Sequence, residues 1–514
     1  MKSVKSIRLC FLFFLAAGFV YGQRPQAYVK DELLVKFKDG ADTVAASETN
    51  LLIGARRVEG FSAIGWQRIK LPAGLSVEKA IARYIKSGEV EVAQPNFFYR
   101  LLSTPNDPEF GAGMYGLTKI SAPAAWDLST GSSTVVVADI DTGLRYTHED
   151  IAANAWKNLG EINGNGIDDD GNGFVDDYYG YDFFYNDSDP LDQNGHGTHT
   201  AGTIGAVGNN GIGVVGVNWN VKLMSIKIYS PAGTDTTSAM LINAYNYVTM
   251  MKNRGVNIRV TNNSYGGCNE ACGYDQATKD ALDAMGNAGI LNIFAAGNEN
   301  ANNDTTAAPS FPATYTSPSI IAVAASTSTD NRSSFSSYGV VSVDLAAPGS
   351  AIRSTWSSSD TAYANLSGTS MATPHVAGAA ALLASYNPNL SVASLKATLL
   401  NTVDQLPQWN GLVKTGGRLN VSSALMNQTV CTFNMAATSM RVPTKGGYFS
   451  VNVTAAQNCD YSVKSNASWI KVSGSDALSG NGIVTFRVTL NPTISRSGII
   501  RIAGTDFTVT QSRN

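Results

Sequence analysis

The pattern of apolar positions changes twice along the chain and so divides it into three parts. The pattern in the first part predicts a small α+β domain. Residues 32–37 have the mainly apolar character of a strand, and residues 77–86 repeat their apolar positions with helical spacing. A further run at 90–98 predicts a last strand. A unit of this size, residues 23–104, is long enough to fold by itself.

The middle of the chain, residues 105–427, carries short apolar runs that alternate with helical segments. The runs lie at residues 134–138, 221–228, 290–295 and 320–324. Such runs are typical of strands that are covered on both faces, and residues 372–383 are small and apolar, as in a buried helix. The pattern predicts an α/β fold in which helices cover both faces of a mostly parallel sheet.

From about residue 430, apolar and polar positions alternate strictly. The alternation is clear at residues 484–490, 500–502 and 507–509. A period of two places one face of a strand in a core and the other in solvent, which is typical of antiparallel sheets. Residues 430–514 are therefore expected to form a small all-β sandwich.

The first 22 residues have the features of an export signal. Three basic residues precede an apolar run at 9–20, and Gly22 offers a small residue for cleavage. The run is too short to span a bilayer, and no other stretch stays apolar for long enough. We therefore expect residues 1–22 to be removed and the protein to be secreted outside the cell, with the cell surface or the periplasm as alternatives.

The charge balance excludes one class of partner. The chain has 37 basic and 40 acidic residues, a net charge of −3. Proteins that bind nucleic acid usually carry a basic patch or stripe, and nothing in this balance suggests one. We expect no nucleic-acid partner, no membrane span and a monomer of two to four domains.

The cysteines predict disulfide bonds. Cys10 lies in the signal segment, which leaves the four cysteines Cys268, Cys272, Cys431 and Cys459. An even count in an exported chain favours disulfides, and position along the chain pairs 268 with 272 and 431 with 459. Four unpaired thiols remain the alternative.

Three short segments carry residue types suited to nucleophilic catalysis. Asp141 ends a buried strand, His196 lies in an Asn-Gly-His-Gly-Thr-His segment, and Ser370 enters the apolar helix in Gly-Thr-Ser-Met-Ala-Thr-Pro-His. A serine hydroxyl needs a base to take its proton, and a carboxylate orients the imidazole that does so. Ser370 also lies at a helix N-terminus, where backbone N–H groups favour negative charge.

These three segments, in the order Asp, His, Ser, resemble those of the subtilisin-like serine proteases over residues 105–427. The resemblance implies a serine endopeptidase that acts on proteins or peptides, with the triad Asp141, His196 and Ser370. It also implies that Asn298, in Ala-Ala-Gly-Asn, forms the oxyanion hole together with the Ser370 backbone N–H.

The same resemblance leaves one further acid and three further histidines out of the catalytic triad. Asp139 and His199 stand near the motif positions but do not match them. We expect His148, His199 and His375 to serve packing and hydrogen bonding.

The resemblance also implies a substrate-binding edge and a specificity pocket. The residues concerned are Ser264, Tyr265, Gly266, Ala295, Ala296, Gly297 and, at the floor, Ser310. Substrate is expected to lie extended along a strand edge. Small walls and the lack of an acid at the floor predict that a large apolar side chain is accepted.

An acidic loop predicts structural Ca²⁺. Carboxylates and glycines crowd residues 168–177, and such oxygen ligands suit Ca²⁺. The predicted ligands are Asp168, Asp170, Asn172, the Phe174 carbonyl, Asp176 and Asp177. A solvated acidic loop without a metal is the alternative.

Two further calcium sites are implied by the resemblance alone. The loop 208–214 resembles a calcium loop of the family, with ligands from Asp107, Asp150, Gly208, Asn210, Ile212 and Val214. A third group comprises Asp182, Asp187 and Asp189, but Tyr185 stands where the family pattern has an acid.

The domains on either side of the catalytic domain also resemble known families. Residues 23–104 resemble the family's prodomain, an intramolecular chaperone and inhibitor, with self-cleavage between residues 99 and 106. Residues 430–514 resemble the bacterial β-modules called BACON domains, on features that include Ser-Trp-Ile around Trp469. This resemblance implies a carbohydrate or protein surface as ligand, with a spacer or stabiliser as the alternative.

Two other classes of protein share part of this pattern. An inactive surface adhesin built on a protease fold would not need Asp141, His196, Ser370 and Asn298 together. A lipase or esterase would need a Gly-x-Ser-x-Gly segment around its serine and a different order of the triad. Both classes fit less well than an active protease.

Overall fold

The computed structural model describes residues 28–38, 43–98, 104–111, 113–234, 236–266, 274–305, 309–474, 477–491 and 494–512. The predicted signal segment and the predicted pair Cys268–Cys272 lie outside these ranges. The chain divides into two compact units, Met1–Arg100 and Leu101–Asn514. Within the described ranges, no helix has both the length and the apolar character needed to cross a bilayer.

The first unit is a four-stranded antiparallel sheet that shares its core with two helices. Its elements are β1 (Tyr28–Phe37), α1 (Val44–Ile53), β2 (Arg56–Phe61), a 3-10 turn (Ser62–Ile64), β3 (Trp66–Lys70), α2 (Val77–Lys86) and β4 (Val90–Phe97). The sheet order is β2-β3-β1-β4. Helix α2 has the predicted bounds, because Val77, Ala80 and Tyr84 are buried on one side and Ser76 caps its first turn.

The second unit is built around a nine-stranded sheet. Its elements up to Met426 are α3 (Tyr115–Lys119), α4 (Ala122–Trp126), β5 (Gly131–Asp141), β6 (Gly180–Asp182), α5 (His196–Gly205), β7 (Asn220–Lys227), α6 (Ser238–Asn253), β8 (Ile258–Asn263), α7 (Gln276–Asn287), β9 (Leu291–Ala295), β10 (Ile320–Ser326), β11 (Leu345–Pro348), β12 (Ile352–Trp356), β13 (Ala362–Leu366), α8 (Thr369–Tyr386), α9 (Val392–Asn401), β14 (Asp404–Gln405), a 3-10 turn (Pro407–Trp409), β15 (Gly417–Arg418) and α10 (Val421–Met426). The order is β14-β15-β11-β10-β9-β8-β5-β7-β6, and β12 and β13 form a separate hairpin. All neighbours in the large sheet are parallel except β14 and β15, which confirms the predicted α/β fold.

Strand β5 shows why the strands of residues 105–427 are continuous apolar runs in the sequence. Val135 and Val137 enter the core that contains residues of α5, α8 and α9. Val136, Ala138 and Ile140 enter the core on the other face, with residues of α6 and α7. Because both faces are covered by helices, both sets of side chains are apolar.

The C-terminal part forms the predicted β-sandwich. Its strands are β16 (Asn434–Met435), β17 (Ser439–Val442), β18 (Gly447–Thr454), β19 (Asp460–Ser465), β20 (Ile470–Ser473), β21 (Ala477–Ser479), β22 (Gly482–Val488), β23 (Arg496–Ile502) and β24 (Thr505–Gln511). They form two sheets, β16-β18-β22-β20 and β17-β24-β23-β19-β21. Both sheets contribute to one core, in which Phe486 and Phe507 are fully buried.

The β-sandwich is attached to helix α9. The ammonium of Lys396 lies 2.7 Å from a carboxylate oxygen of Asp460, and both side chains are at most one-tenth exposed. Cys431 and Cys459 form the expected disulfide, and the backbone N–H of Cys431 donates to the hydroxyl of Ser394 at 3.0 Å. The sandwich is thus held to the α/β core by an ion pair and hydrogen bonds as well as by the chain itself.

Candidate active site

The carboxylate of Asp141 and the ring of His196 are in direct contact. Asp141 is the last residue of β5 and His196 is the first residue of α5. His196 Nδ1 lies 2.7 Å from Asp141 Oδ1, and the backbone N–H of Thr142 donates to the same oxygen at 2.7 Å. Asp141 is 1% exposed, so its carboxylate is shielded from water, whereas the His196 side chain is 28% exposed. A carboxylate in this position fixes which ring nitrogen carries the proton.

Two features hold α5 against the end of β5. A Cβ atom on Gly197 would lie 2.2 Å from the carbonyl oxygen of Gly143, so only glycine allows this close approach. Asp192 supports the start of the helix, whose N-cap residue is Gly195, because its carboxylate accepts from the backbone N–H groups of Gly195 and Thr198, each at 2.9 Å. Asp192 was not predicted, because it lies three residues before the N-cap position and so does not give the usual capping signal.

Ser370 is brought to the same edge of the sheet by a reciprocal contact with Ser264. The Ser370 hydroxyl donates to the Ser264 carbonyl oxygen at 3.0 Å, and the Ser264 hydroxyl donates to the Ser370 carbonyl oxygen at 2.9 Å. Ser264 follows β8, which neighbours β5 in the sheet. Among the described hydrogen bonds, none joins Ser370 directly to His196.

Asn298, which follows β9, has its side-chain amide oriented by the residue before Ser370. Thr369 donates to Asn298 Oδ1 from its backbone N–H at 2.9 Å and from its hydroxyl at 3.0 Å. A Cβ atom on Gly368 would lie 3.7 Å from Asn298 Nδ2 and 3.6 Å from the Ser370 backbone nitrogen. The two N–H donors predicted to bind an oxyanion therefore lie near one point beside Gly368.

Comparison with known proteins assigns this part of the chain to a family. The sequence profile of the Subtilase family matches residues 132–447, which is more than half of the 514 residues. The chain belongs to the subtilase family. A second profile, that of the fervidolysin N-terminal prodomain, matches residues 18–96.

Individual subtilases agree with the family assignment. Thermitase from Thermoactinomyces vulgaris is 40% identical over 322 residues, which are 63% of this chain and 99% of thermitase. The thermophilic serine proteinase of Bacillus sp. (strain AK1) is 32% identical over 399 residues, 78% of this chain and 88% of that one. A solved cold adapted subtilisin-like serine proteinase is 32% identical, covers 56% of this chain and 90% of its own, and gives a TM-score of 0.43. The protein is a subtilisin-like serine endopeptidase with an N-terminal prodomain.

His196 differs from the other histidines of this subtilase in its contacts. One ring nitrogen each of His148, His199 and His375 lies within 3.0 Å of a main-chain carbonyl oxygen. Burial lowers the pKa of His199 and of His375 to about 4, so both rings are neutral. Burial also acts to lower the pKa of His196, but the charge and hydrogen bond of Asp141 outweigh it and raise this pKa above its ordinary value. The three other rings serve packing and hydrogen bonding, as predicted.

The predicted specificity pocket has small residues around a buried serine. A Cβ atom on Gly297 would lie 3.2 Å from the Ser310 hydroxyl oxygen, and one on Gly266 would lie 3.6 Å from it. Ser310 is 3% exposed, and its hydroxyl has no hydrogen-bond partner among the described residues. The other predicted wall residues at the ends of β8 and β9 are Ser264, Tyr265, Ala295 and Ala296.

Sequence analysis missed an acidic residue beside this pocket. A Cβ atom on Gly297 would lie 2.4 Å from the carboxylate oxygen Oε2 of Glu299. The Ser337 hydroxyl donates to the same oxygen at 3.3 Å. The sequence gives no acid at the floor, but the structure puts a carboxylate next to one wall.

The acidic loop brings together only part of the predicted calcium ligands. Carboxylate oxygens of Glu161, Asp168 and Asp170 all lie within 4.8 Å of one another. Oxygen ligands this close suit a divalent cation, and Glu161 was not predicted because it precedes the loop. The side chain of Arg254 pairs with Asp170 at 3.1 Å and balances part of the negative charge.

The remaining predicted ligands of this loop have other contacts. The Asp176 carboxylate accepts hydrogen bonds from the three backbone N–H groups of residues 164–166. Asp177 is fully buried and accepts from the Asn172 amide, and burial raises its pKa to about 6. The structure thus places Asp176 and Asp177 outside the close group of three carboxylates.

The second predicted calcium site is a pair of buried carboxylates under the loop 208–214. Asp150 accepts from the backbone N–H of Val214 and from the side-chain amide of Asn210, each at 2.8 Å. Neither Asp150 nor Asp107 takes part in an ion pair among the described residues. Burial raises the pKa of both carboxyls, that of Asp150 to about 6. Because buried carboxylates without a cation are unfavourable, these residues fit a bound metal ion.

The third group of acids contains a cation from the chain itself. The ammonium of Lys227 lies 2.7 Å from Asp182 Oδ2, and both side chains are at most 2% exposed. The ring of Tyr185, which stands where the family pattern has an acid, lies 4.8 Å from the same ammonium. Asp182 therefore already has a cation from the chain, which disfavours a calcium ion at this carboxylate.

Proposed function

We propose that this subtilase is a secreted, self-processing endopeptidase in which Ser370 is the nucleophile. His196 is the base, Asp141 orients it, and Asn298 binds the oxyanion together with the Ser370 backbone N–H. The observation that carries the proposal is the convergence of these two N–H donors beside Gly368, at the sheet edge that also holds the His196–Asp141 contact.

The proposed reaction follows from these contacts. The Ser370 hydroxyl leaves the Ser264 carbonyl, gives its proton to His196 and attacks the carbonyl carbon of the peptide bond. Asp141 stabilises the imidazolium that forms, and the negative oxygen is bound by the two N–H donors. The imidazolium then protonates the leaving amine, and water releases the acyl group by the same steps in reverse.

The substrates that we propose are proteins or peptides bound in extended form along residues 264–266. The small walls around Ser310 favour a large apolar side chain before the cleaved bond. The carboxylate of Glu299 adds tolerance for lysine or arginine, because opposite charges attract across the partly exposed wall. In a peptide-library cleavage profile, Glu299→Gln should lower kcat/KM for lysine relative to phenylalanine by about threefold. A profile dominated by lysine and arginine in both forms would contradict the apolar preference.

We propose that the protein is made as a zymogen. Residues 1–22 form the signal, 23–104 the inhibitory prodomain, 105–427 the catalytic domain and 430–514 the β-sandwich. The similarity of residues 18–96 to a prodomain supports self-cleavage between residues 99 and 106.

Expression of the wild type beside Ser370→Ala tests both parts of this proposal. The wild type should lose residues 23 to about 104 and digest casein, and the variant should remain an intact precursor. An intact, inert wild type would favour the inactive adhesin. Processing of Ser370→Ala in the absence of other proteases would exclude Ser370 as the nucleophile.

Structural Ca²⁺ is the proposed cofactor. The proposed residues are Asp107, Asp150 and Asn210, with the carbonyl groups of Gly208, Ile212 and Val214, at one site and Glu161, Asp168 and Asp170 at the other. When bound, the ion neutralises buried or crowded carboxylates and holds the loops together. It takes no part in the reaction.

We propose that the BACON-like β-sandwich mainly stabilises the catalytic domain. Its contacts with α9 support this role. Trp469, the aromatic side chain that a carbohydrate-binding role would use, is half-buried against the core with Arg496 4.2 Å from its ring centroid. A chain that ends at Asn427 should therefore unfold at a lower temperature than the full chain. An unchanged unfolding temperature together with lost adhesion to polysaccharide would favour the binding role.

A further inference from the structure

Asp139 is a buried acid that the proposed triad does not use. It lies two residues before Asp141 on β5, so both side chains are on the same face of the strand. Asp139 is 3% exposed. Its oxygen Oδ2 lies 3.0 Å from the Thr200 hydroxyl, and its oxygen Oδ1 accepts from the side-chain amide of Asn262 at 2.8 Å.

These two contacts connect Asp139 to both halves of the site. Thr200 is on α5, one helical turn after His196. The Asn262 amide donates also to the Ser264 hydroxyl at 3.0 Å, and that hydroxyl donates to the Ser370 carbonyl oxygen at 2.9 Å. A single side chain therefore joins the helix that carries the base to the strand end that holds the nucleophile.

The hydroxyl of Thr200 lies near two oxygen atoms but has only one proton to donate. It lies 2.9 Å from the carbonyl oxygen of Gly197 and 3.0 Å from Asp139 Oδ2. The carbonyl oxygen can only accept, and the hydroxyl has one proton to donate. Both short contacts are full hydrogen bonds if Thr200 donates to Gly197 and Asp139 carries a proton that it donates to Thr200.

Burial and the charge of Asp141 favour the same protonation state of Asp139, and they outweigh the charge of His196, which opposes it. Its two partners, Thr200 and Asn262, are neutral, and β7 places the uncharged Ser225 beside it in register. Asp141 on β5 and His196 on α5 are the ionisable groups that act on it. Burial and then the negative charge of Asp141 raise the pKa of Asp139 well above its ordinary value.

The other helix packed against this face contributes no charge to Asp139. The ring of His375 on α8 faces Gly116, because a Cβ atom on that glycine would lie 2.7 Å from His375 Nε2. Burial keeps that ring neutral by lowering its pKa to about 4. The protonation of Asp139 therefore depends on Asp141 and His196.

We propose that Asp139 is a positioning residue that acts as a neutral carboxylic acid, donating a hydrogen bond to Thr200 and accepting one from Asn262. This inference rests on the proposed function, since it assigns a role behind the proposed triad. In this form Asp139 aligns the helix of His196 with the strand of Ser264 without a second negative charge behind the imidazole. The basicity of His196 is then set mainly by Asp141, with a smaller contribution from the charge of Asp192.

A pair of variants tests this proposal. Asp139→Asn keeps both hydrogen bonds of a neutral acid, because its amide donates to Thr200 and accepts from Asn262. Asp139→Leu keeps the size and loses both bonds. We expect Asp139→Leu to lower kcat at least about tenfold with little change in KM. We expect Asp139→Asn to restore most of kcat and to leave the acid limb of kcat/KM against pH within about 0.3 pH units of the wild type.

An ionised Asp139 would give a different result. Removal of its charge by Asp139→Asn would then lower the pKa of His196 and move the acid limb about one pH unit or more toward low pH. Such a shift would overturn the proposal, and so would an Asp139→Leu variant with wild-type kcat. Casein digestion by the wild type, with Ser370→Ala inert, is measured on the same preparations. If the wild type is itself inert, the proposed function fails, and the role of Asp139 that rests on it fails with it.

A spectroscopic measurement decides the question even if a variant does not mature. Precursors carrying Ser370→Ala and Ser370→Ala with Asp139→Asn are compared by difference infrared spectroscopy at neutral pH. A neutral Asp139 gives a protonated-carboxyl C=O band that disappears in the double variant. Loss of carboxylate bands instead would overturn the proposal.

Discussion

Thr369 donates two hydrogen bonds to the side-chain oxygen of Asn298, one from its backbone and one from its hydroxyl. The two bonds decide which end of the Asn298 amide is left for substrate. Because the oxygen is held by Thr369, the NH₂ group is the end that remains to face the point beside Gly368. The residue before the proposed nucleophile therefore prepares the proposed oxyanion site.

Replacement of Thr369 by valine should weaken this orientation. The variant keeps the backbone bond and the shape but loses the hydroxyl, which donates to Asn298 and also accepts from the backbone N–H of Gly297 at 3.2 Å. Each is a neutral hydrogen bond of about 0.5–1.5 kcal/mol. We expect kcat to fall about three- to tenfold with KM nearly unchanged, measured on a soluble peptide substrate. Asn298→Ala is the matched control and should cost about 10²- to 10³-fold, the range that the corresponding donor of subtilisin itself shows. Equal activity of Thr369→Val and wild type would contradict the role of the hydroxyl.

The pH dependence of the enzyme should reflect the raised pKa of His196. Burial is the largest single influence and lowers this pKa, but the charge and hydrogen bond of Asp141, with smaller contributions from nearby acids, together raise it above the ordinary value of about 6.5. Only the neutral ring can take a proton from Ser370, so kcat/KM should fall as the pH drops through a value above about 6.5. An acid limb at or below this value would contradict the expectation. The sign for stability is opposite, because the favourable charge on His196 is lost as the pH rises through its folded pKa.

Calcium should stabilise the protein more at neutral than at acidic pH. Burial raises the pKa of Asp150 to about 6, so in calcium-free protein the folded state holds this proton and loses stability as the pH rises through that value. A bound ion removes this loss by pairing with the carboxylate. The difference in unfolding temperature between calcium and chelator should therefore grow from pH 5 to pH 7, a range set by that pKa.

Two single variants separate the proposed calcium sites. Asp150→Asn should remove most of the pH dependence of the calcium effect, because the titrating carboxylate is gone. Asp168→Asn changes the exposed loop and should reduce the calcium effect while keeping its pH dependence. The same pH dependence in Asp150→Asn as in the wild type would exclude Asp150 as the titrating ligand.

Replacing Lys396 alone should lower the unfolding free energy more than replacing Lys396 and Asp460 together. The charge of Asp460 raises the pKa of Lys396 against the effect of burial, and Lys396 in turn lowers the pKa of Asp460, so both are charged. Lys396→Met leaves a buried carboxylate without its cation and should cost about 3–5 kcal/mol of unfolding free energy. The double variant Lys396→Met with Asp460→Asn should recover most of this loss in a denaturant titration. Equal losses in the single and double variants would show that the pair itself contributes little.

Local patterns predict the elements of this fold well, because they report burial directly. Helix α2 has the predicted bounds, and β5 has apolar residues on both faces where helices cover both faces. The triad Asp141, His196 and Ser370 could be proposed from the sequence because each residue stands in a short segment that resembles the family's. The structure brings Asp141 and His196 into contact, and the role of Ser370 stays a prediction.

Contacts between distant segments could not be predicted in the same way. Glu161 joins Asp168 and Asp170 through the folding of a long loop, and no spacing in the sequence indicates this. Glu299 follows the predicted Asn298 directly, yet only the backbone geometry shows that its carboxylate lies beside Gly297. Asp139 has the spacing of a strand neighbour of Asp141, but its partners come from α5 and β8.

The ion pair between Lys227 and Asp182 has a consequence for how this protease responds to its surroundings. A covalently tethered ammonium cannot be diluted away, stripped by a chelator or exchanged for another ion. The segment that leads to the active-site helix therefore keeps its counterion in calcium-poor fluids, where a protein with a metal in this place would loosen. Its integrity depends on the chain alone.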